Sequence, residues 1–299
     1  MRPRQWLKNL SLFAAVLFGG QFLEADTLFK VGKAFLAFSL LSSGIYLFND
    51  IVDRERDRQH PLKKERPIAK GTVSVATAGA ASITLAASSL AWTALYFNQF
   101  FFNLTLLFLA LQLSYSLLFR NIIILDALVV AMAFILRVYA GAFIVPTPIS
   151  SWLILSVIGL SLLLAFGKRR SERTLLSSLH QKLLTRATLR EYPDTLLDSM
   201  ISMAATFTII SYAIFAFQTS PTTEAPFLAG IVPSTLSTPK WMMLTIPIVI
   251  YGVARYLYVI YEKKEGESPE KVLLSDLPLL GTVGLWIVTI FIIIYGLGR

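Results

Sequence analysis

Residues 49–71 read NDIVDRERDRQHPLKKERPIAKG, and they follow the apolar run GKAFLAFSLLSSGIYLF at residues 32–48. A helix that crosses a bilayer needs about 20 mostly apolar residues. The boundary at Asn49 therefore reads as the place where a membrane span leaves lipid and meets charge of both signs. The pattern recurs. Apolar stretches of spanning length lie roughly at 8–24, 31–51, 74–97, 100–118, 122–145, 150–167, 197–217, 241–261 and 277–297. The first follows Arg2, Arg4 and Lys8 as a signal peptide would, but it lacks a small-residue cleavage site and reads as a span.

The 299 residues are 55% hydrophobic and 15% charged, with a mean hydropathy of +0.65. That composition excludes an ordinary soluble domain and fits a polytopic membrane protein. The expected fold class is all-α, with nine transmembrane helices in a single domain over residues 1–299. There are no cysteines, so disulfides, a thiolate nucleophile and a cysteine metal site are excluded. His60 and His180 are too few for a histidine cluster and read as solvent-facing loop residues.

Lys and Arg set the orientation. Taking alternate loops with their adjoining helix ends, 22 of the 27 basic residues fall on the N-terminal side and four (Lys30, Lys33, Lys240 and Arg299) on the other, with Arg137 inside a span. The N-terminus is thus expected in the cytoplasm and the C-terminus outside the plasma (inner) membrane. The net charge of +9 is then mostly topology, and no nucleic-acid partner is implied. Two cytoplasmic loops, 53–73 and 168–196, are the longest and carry seven bases each; they are expected to form the active-site side.

If the second span stays helical past Asn49, Asp50, Asp53 and Asp57 fall within about 60 degrees of one another, with Asn49 about 40 degrees further round. Three carboxylates on one face repel, and near lipid they are costly. They can be relieved by Arg54, Arg56 and Arg58, by solvent, or by a divalent cation. Hard oxygen ligands suit Mg²⁺, which commonly takes one or two carboxylates together with substrate phosphates. The metal-ligating set is therefore Asn49, Asp50, Asp53 and Asp57, the three aspartates carrying catalysis.

NDIVDRERD followed by RPIAKG resembles the N-D-x-x-D-x-x-x-D motif of the UbiA superfamily of intramembrane prenyltransferases. YSLLFRN at residues 115–121 is similar to the Tyr-plus-base pair at the end of that family's fourth helix, here Tyr115 and Arg120. The resemblance implies nine helices around a central cavity open to the cytoplasm, a Mg²⁺ cofactor and a diphosphate substrate. It also fails at one place. Typical members end their sixth helix with a second pair of aspartates, whereas this chain reads LAFGKRRSERTLL at residues 164–176. Lys168, Arg169, Arg170 and Arg173 stand there, with Glu172 as the one carboxylate.

A site with acids on one wall and bases on another suits a metal-bound diphosphate together with a bare phosphate, which Lys and Arg bind by charge-assisted hydrogen bonds. The pattern resembles the decaprenyl-phosphate phosphoribosyltransferase branch of the superfamily, through RPRQWLKN (2–9), residues 49–71, GKRRSE (167–172), ARYLY (254–258) and SPEKVLLSDLPLL (268–280). That branch implies transfer of 5-phosphoribose from phosphoribosyl pyrophosphate to a polyprenyl monophosphate, releasing pyrophosphate. Lys168, Arg169 and Arg170 are then expected on the 5-phosphate, and Lys8 and Arg66 on the lipid phosphate or pyrophosphate. Asn49, Arg58, Tyr115, Arg120 and Arg255 complete the expected substrate contacts. The alternative is ordinary prenyl transfer from a prenyl diphosphate to an aromatic acceptor. A transporter, which places polar residues near the bilayer midplane, fits less well. Among single residues, Asp126 is expected to reach the site or pair with Arg120. Arg137 is expected in a buried contact, and Glu270 and Asp276 as partners for bases.

Overall fold

In the computed structural model, residues 3–59, 63–178, 192–220, 240–263 and 269–297 are described. Among them every regular element is helical. A 3₁₀ segment, Pro3–Phe13, leads into α1 (Ala14–Phe18). Then come α2 (Ala25–Val52), α3 (Arg54–Gln59), α4 (Pro67–Lys70), α5 (Val75–Tyr96), α6 (Gln99–Leu117), α7 (Leu125–Ile144) and α8 (Ser151–Ser178). Beyond these are α9 (Asp194–Thr219), α10 (Ile246–Tyr258), α11 (Pro269–Ser275) and α12 (Leu277–Phe291).

Among the described residues, eight helical segments are long and apolar enough to cross a membrane, and they coincide with the second to ninth expected spans. The expected first span at 8–24 is the exception. It is 3₁₀ over 11 residues and α-helical over five. A 3₁₀ helix rises about 2.0 Å per residue against about 1.5 Å in an α-helix, so this segment is more extended than its residue count suggests. A second difference lies at 168–178. This stretch, expected to open a loop, continues α8 for three more turns. Its bases are thus displayed at helical spacing.

Polar residues start the spans. Ser74 accepts from the Thr77 N–H at 3.0 Å, Asn98 from Phe101 at 2.9 Å and Asp276 from Leu279 at 3.0 Å, each satisfying an orphan donor at a helix start.

The chain divides into two compact units, residues 1–148 with 173–193, and residues 149–172 with 194–299. In the first, Phe38 of α2 meets Phe101 and Phe108 of α6 with ring centroids 5.7 and 5.2 Å apart. Leu12, Val31, Leu41, Leu136 and Ala140 pack around them. Small residues bring α2 and α5 together, as expected for helices that associate inside lipid. The Ser82 and Ser89 hydroxyls donate to the Gly44 and Ala37 carbonyls at 2.7 and 2.8 Å. A Cβ on Gly44 would lie 2.8 Å from the Ser82 carbonyl oxygen, so α5 could not approach this closely past any larger residue. Arg137 is buried here. It donates to Asn9 Oδ1 at 2.8 Å and to the Ala133 carbonyl at 2.9 Å, and it stands 4.6 Å over the Phe108 ring.

In the second unit Tyr212 of α9 shares a 2.6 Å hydrogen bond with Thr245 and accepts one of 2.8 Å from Trp286 of α12. Gly167 lets α8 pass α10: a Cβ there would fall 2.9 Å from the Tyr256 hydroxyl oxygen. This glycine immediately precedes the basic stretch and fixes its distance from α10.

Candidate active site

The cytoplasm-like charge at the end of α2 does not continue as one straight helix. The α-helix stops at Val52, and Asp53 (φ −90°, ψ 0°) closes it while its N–H still bonds the Asn49 carbonyl at 2.9 Å. The chain then turns into α3, whose Asp57 N–H bonds the Asp53 carbonyl at 2.8 Å.

The break divides the three aspartates that sequence spacing places on one face. Asp50 and Asp57 turn to Arg66, whose Nη1 lies 3.1 Å from Asp50 Oδ1 and 2.5 Å from Asp57 Oδ2. Asp53 pairs with a different arginine, Arg120, whose Nη1 is 2.6 Å away, in a pair buried on both sides. Of the ways to relieve these acids that the sequence leaves open, pairing with arginine is used, and the arginines come from later segments than Arg54, Arg56 and Arg58. Arg58 has a different task. Its Nε donates to the Ala69 carbonyl at 3.0 Å and its Nη1 to Glu55 at 3.2 Å, which ties α3 to α4. That arrangement also aims Arg66, which sits in extended conformation before Pro67 at the start of α4.

The full ligand set Asn49, Asp50, Asp53 and Asp57 is likewise not gathered on one point. Among the described residues, no three or more His, Cys, Asp or Glu side chains are placed to share a metal ion. A smaller set does fit one. Asp50 and Asp57 aim oxygens at a single atom, Arg66 Nη1, so they are close enough to share one cation. Burial pushes the Asp57 carboxyl up from its ordinary value. Arg66 opposes that without cancelling it, and the charges of Asp53 and Asp50 add to it. Three carboxylates against two guanidiniums leave room for further positive charge, and oxygen donors of this kind suit Mg²⁺. Asn49 Oδ1 accepts from the Ser116 hydroxyl of α6, one residue past the half-buried Tyr115. Lys8 lies half-buried on the 3₁₀ segment.

The second unit holds the basic stretch. Arg169, buried, reaches Glu172 Oε2 at 3.3 Å along the same helix. Arg170 is held by α9, with Asp198 at 2.8 Å and Asp194 at 3.6 Å, and Tyr261 donates to the same Asp198 at 2.8 Å. Lys168 is half-buried on the preceding position. Arg255 makes a two-pronged pair with Asp276, Nε to Oδ1 at 3.0 Å and Nη2 to Oδ2 at 2.9 Å, and Lys263 joins at 2.7 Å. These cations hold the Asp276 carboxyl well below the usual range. The expectation that Asp276 partners bases is met, and Arg255 is anchored by it.

Sequence spacing did not point to three residues. Ser116 orients Asn49, Asp198 engages Arg170, and Tyr192 donates to Asp126 at 2.7 Å. Asp126, expected to reach the site or to pair with Arg120, accepts this hydrogen bond from Tyr192. All three are polar residues distant in sequence from the groups they hold, and no local pattern marks them.

The sequence pattern of the UbiA prenyltransferase family matches residues 11–177, more than half the chain. The chain belongs to the UbiA prenyltransferase family. Among curated proteins it is 32% identical over 298 residues to decaprenyl-phosphate phosphoribosyltransferase of Corynebacterium glutamicum, covering 99% of this chain and 85% of that one. It is also 32% identical over 302 residues to the protein of that name from Mycolicibacterium smegmatis, covering 99% and 91%. Among solved structures, a UbiA homolog from Archaeoglobus fulgidus bound to GPP and Mg²⁺ superposes with a TM-score of 0.67 at 22% identity, over 98% of this chain and 97% of that one. That likeness establishes the UbiA fold. The family match ends just past the basic stretch of α8, so both charge clusters lie on or against the matched segment.

Proposed function

We propose that this UbiA-family protein transfers the 5-phosphoribosyl group of phosphoribosyl pyrophosphate to a polyprenyl monophosphate and releases pyrophosphate. One observation carries the reading: bases, not acids, follow Gly167 on α8, in a chain aligned nearly end to end with relatives named decaprenyl-phosphate phosphoribosyltransferase. An ordinary prenyl diphosphate offers a single pyrophosphate. A phosphoribosyl donor and a phospholipid acceptor bring two more phosphates, which is what a basic helix end can serve.

In this reading the chain is one domain of nine spans, the 3₁₀ segment with α1 making the first. Its N-terminus lies in the cytoplasm, and the substrate cavity opens to the same side of a plasma membrane. Asp50 and Asp57, with Asp53 and Asn49 in support, hold Mg²⁺. Bound there, Mg²⁺ neutralises the oxygens of the departing pyrophosphate. Arg66, shared by Asp50 and Asp57, would be the guanidinium nearest a pyrophosphate held there. Arg120 orients Asp53 beside it. Lys168 takes the ribose 5-phosphate, with Arg169 next to it, and Lys8 takes the lipid phosphate. The C1–O bond to pyrophosphate breaks with its electron pair on the leaving oxygen, and an oxygen of the lipid phosphate bonds to C1 from the opposite face, inverting it. A phosphate monoester is largely dianionic at neutral pH, so no general base is needed.

The test is purified protein with radiolabelled phosphoribosyl pyrophosphate and polyprenyl phosphate in the presence of Mg²⁺. A lipid-soluble labelled product with released pyrophosphate supports the reading. Product from prenyl diphosphate and an aromatic acid, with none from phosphoribosyl pyrophosphate, overturns it.

A further inference from the structure

Between α6 and α7 the chain makes a tight connection, and Arg120 lies within it on a 3₁₀ turn, Phe119–Asn121. The connection ends at Ile124, the one non-glycine residue among those described with positive φ (68°, ψ −47°). Next to it, the Leu125 N–H bonds the Ile123 carbonyl at 2.7 Å, two residues back, which makes this a tight γ-type turn. A β-branched residue at such a φ is strained, and strain of this kind persists only where the surroundings impose it.

A buried hydroxyl holds the N–H side of this turn. Tyr192 is fully buried. Its oxygen accepts the Ile124 N–H at 2.7 Å and donates to Asp126 Oδ1, also at 2.7 Å. Asp126 is itself only 1% exposed and stands in the first turn of α7. One phenol thereby clamps the strained residue and the helix that follows it. The Tyr192 carbonyl is in turn held by the Arg173 guanidinium at the end of α8. Four residues before the clamped turn is Arg120, whose buried pair with Asp53 fixes one of the three aspartates of α2–α3.

We infer that Tyr192 is a positioning residue: through the Ile124 turn it sets the placement of Arg120 on Asp53. Tyr192 touches neither substrate nor metal in this scheme. Its effect on turnover rests on the proposed function, because that supplies the assay, and it acts through backbone geometry.

Glycine adopts positive φ without penalty, so Ile124→Gly removes the need for the clamp. The expected result is that Tyr192→Phe lowers phosphoribosyl transfer about tenfold, the scale of leaving the part-buried Ile124 N–H without its acceptor. Ile124→Gly alone stays within about threefold of the parent. The double variant Tyr192→Phe with Ile124→Gly recovers most of the lost rate. A phenol that merely packs, or that contacts substrate, gives no such recovery. A fully active Tyr192→Phe, an inactive Ile124→Gly or an unrescued double variant would each overturn the inference. A second readout does not need activity. In purified protein, the coupling between Asp53→Asn and Arg120→Gln in thermal denaturation shrinks when Tyr192→Phe is present and returns with Ile124→Gly. Unchanged coupling refutes the positioning role even if the parent protein proves to use another substrate, whereas a parent inactive on phosphoribosyl pyrophosphate refutes only the proposed function.

Discussion

The end of α2 and the end of α8 are charged segments of opposite sign, and they neutralise themselves in opposite ways. At α2 the acids are held by arginines on connecting segments: Arg66, 9 residues from Asp57, precedes α4, and Arg120, 67 residues from Asp53, lies on the 3₁₀ turn after α6. At α8 one base, Arg169, pairs within its own helix, and another, Arg170, is taken by two aspartates at the start of α9. Arg66 stands just before the short α4, outside the spans, whereas Arg170 is held between two helices of its unit; in the proposed reaction Arg66 is therefore the arginine that would give way to a metal. In the proposed reaction Asp50, Asp53, Asp57 and Lys168 are the groups that meet ligand, whereas Arg170 and Arg255 are paired with aspartates of their own unit.

The largest effect expected from this division is at Asp53. Asp53→Asn keeps the shape and removes the charge, so kcat for phosphoribosyl transfer should fall by about a thousandfold, the scale seen when a site loses a principal electrostatic contact. It also leaves Arg120 buried without its counterion, so the rate is compared at equal amounts of folded protein. Near-normal turnover would break the acidic half of the comparison. Arg66→Gln comes next. It should lower kcat/KM by about tenfold to a hundredfold, as loss of a charge-assisted contact does. It should also lower the Mg²⁺ concentration for half-maximal rate, since the guanidinium no longer competes for Asp50 and Asp57. A higher Mg²⁺ requirement would place Arg66 in the metal's support and not in its way.

The two bases of α8 sharpen the other half. Lys168→Ala should raise the apparent KM for phosphoribosyl pyrophosphate about tenfold with kcat little changed, because a contact to the non-reacting 5-phosphate binds ground and transition states alike. Arg170→Ala should change KM by less than about threefold and show itself in a lower melting temperature, since its partners are Asp194 and Asp198. Reversed effects would exchange the two roles.

Much of the fold is legible in the sequence because its determinants are local. Span positions follow from apolar length, and eight of nine appear where hydropathy puts them. The first differs because its helix is wound 3₁₀, which no apolar count reveals. At the site, Asn49, Asp50, Asp53 and Asp57 can be found from spacing, and the need for a counter-cation can be argued from repulsion. Which arginine answers cannot. Helical periodicity assumes a straight helix, and the turn at Asp53 rotates the aspartates apart toward partners that only the tertiary fold supplies. Tyr192 and Asp198 are invisible for the same reason, each being a polar residue whose meaning lies in a contact across dozens of residues.

The smallest expected effect separates structural from functional acids by pH. Asp276 has its carboxyl held low, first by hydrogen bonds from Arg255 and then from Lys263 and the Leu279 N–H, against the cost of burial. A carboxyl whose folded value lies below its unfolded one favours the folded state above the unfolded value, about 4 for aspartate, and that contribution disappears as pH falls through the folded value. Thermal unfolding followed by tryptophan fluorescence should therefore show this contribution intact from pH 7 down to about 5 and declining only below about 4. Asp276→Asn keeps a competent helix cap but no charge, so its melting temperature should sit a few degrees lower across the neutral range and converge on the parent in acid. Turnover at neutral pH should change by no more than about threefold, in contrast to Asp53→Asn. If Asp276→Asn instead lost activity as completely as Asp53→Asn while melting normally, Arg255 would belong with the ligand-binding bases, and Lys168 of α8 would share its phosphate-binding role with a residue of α10.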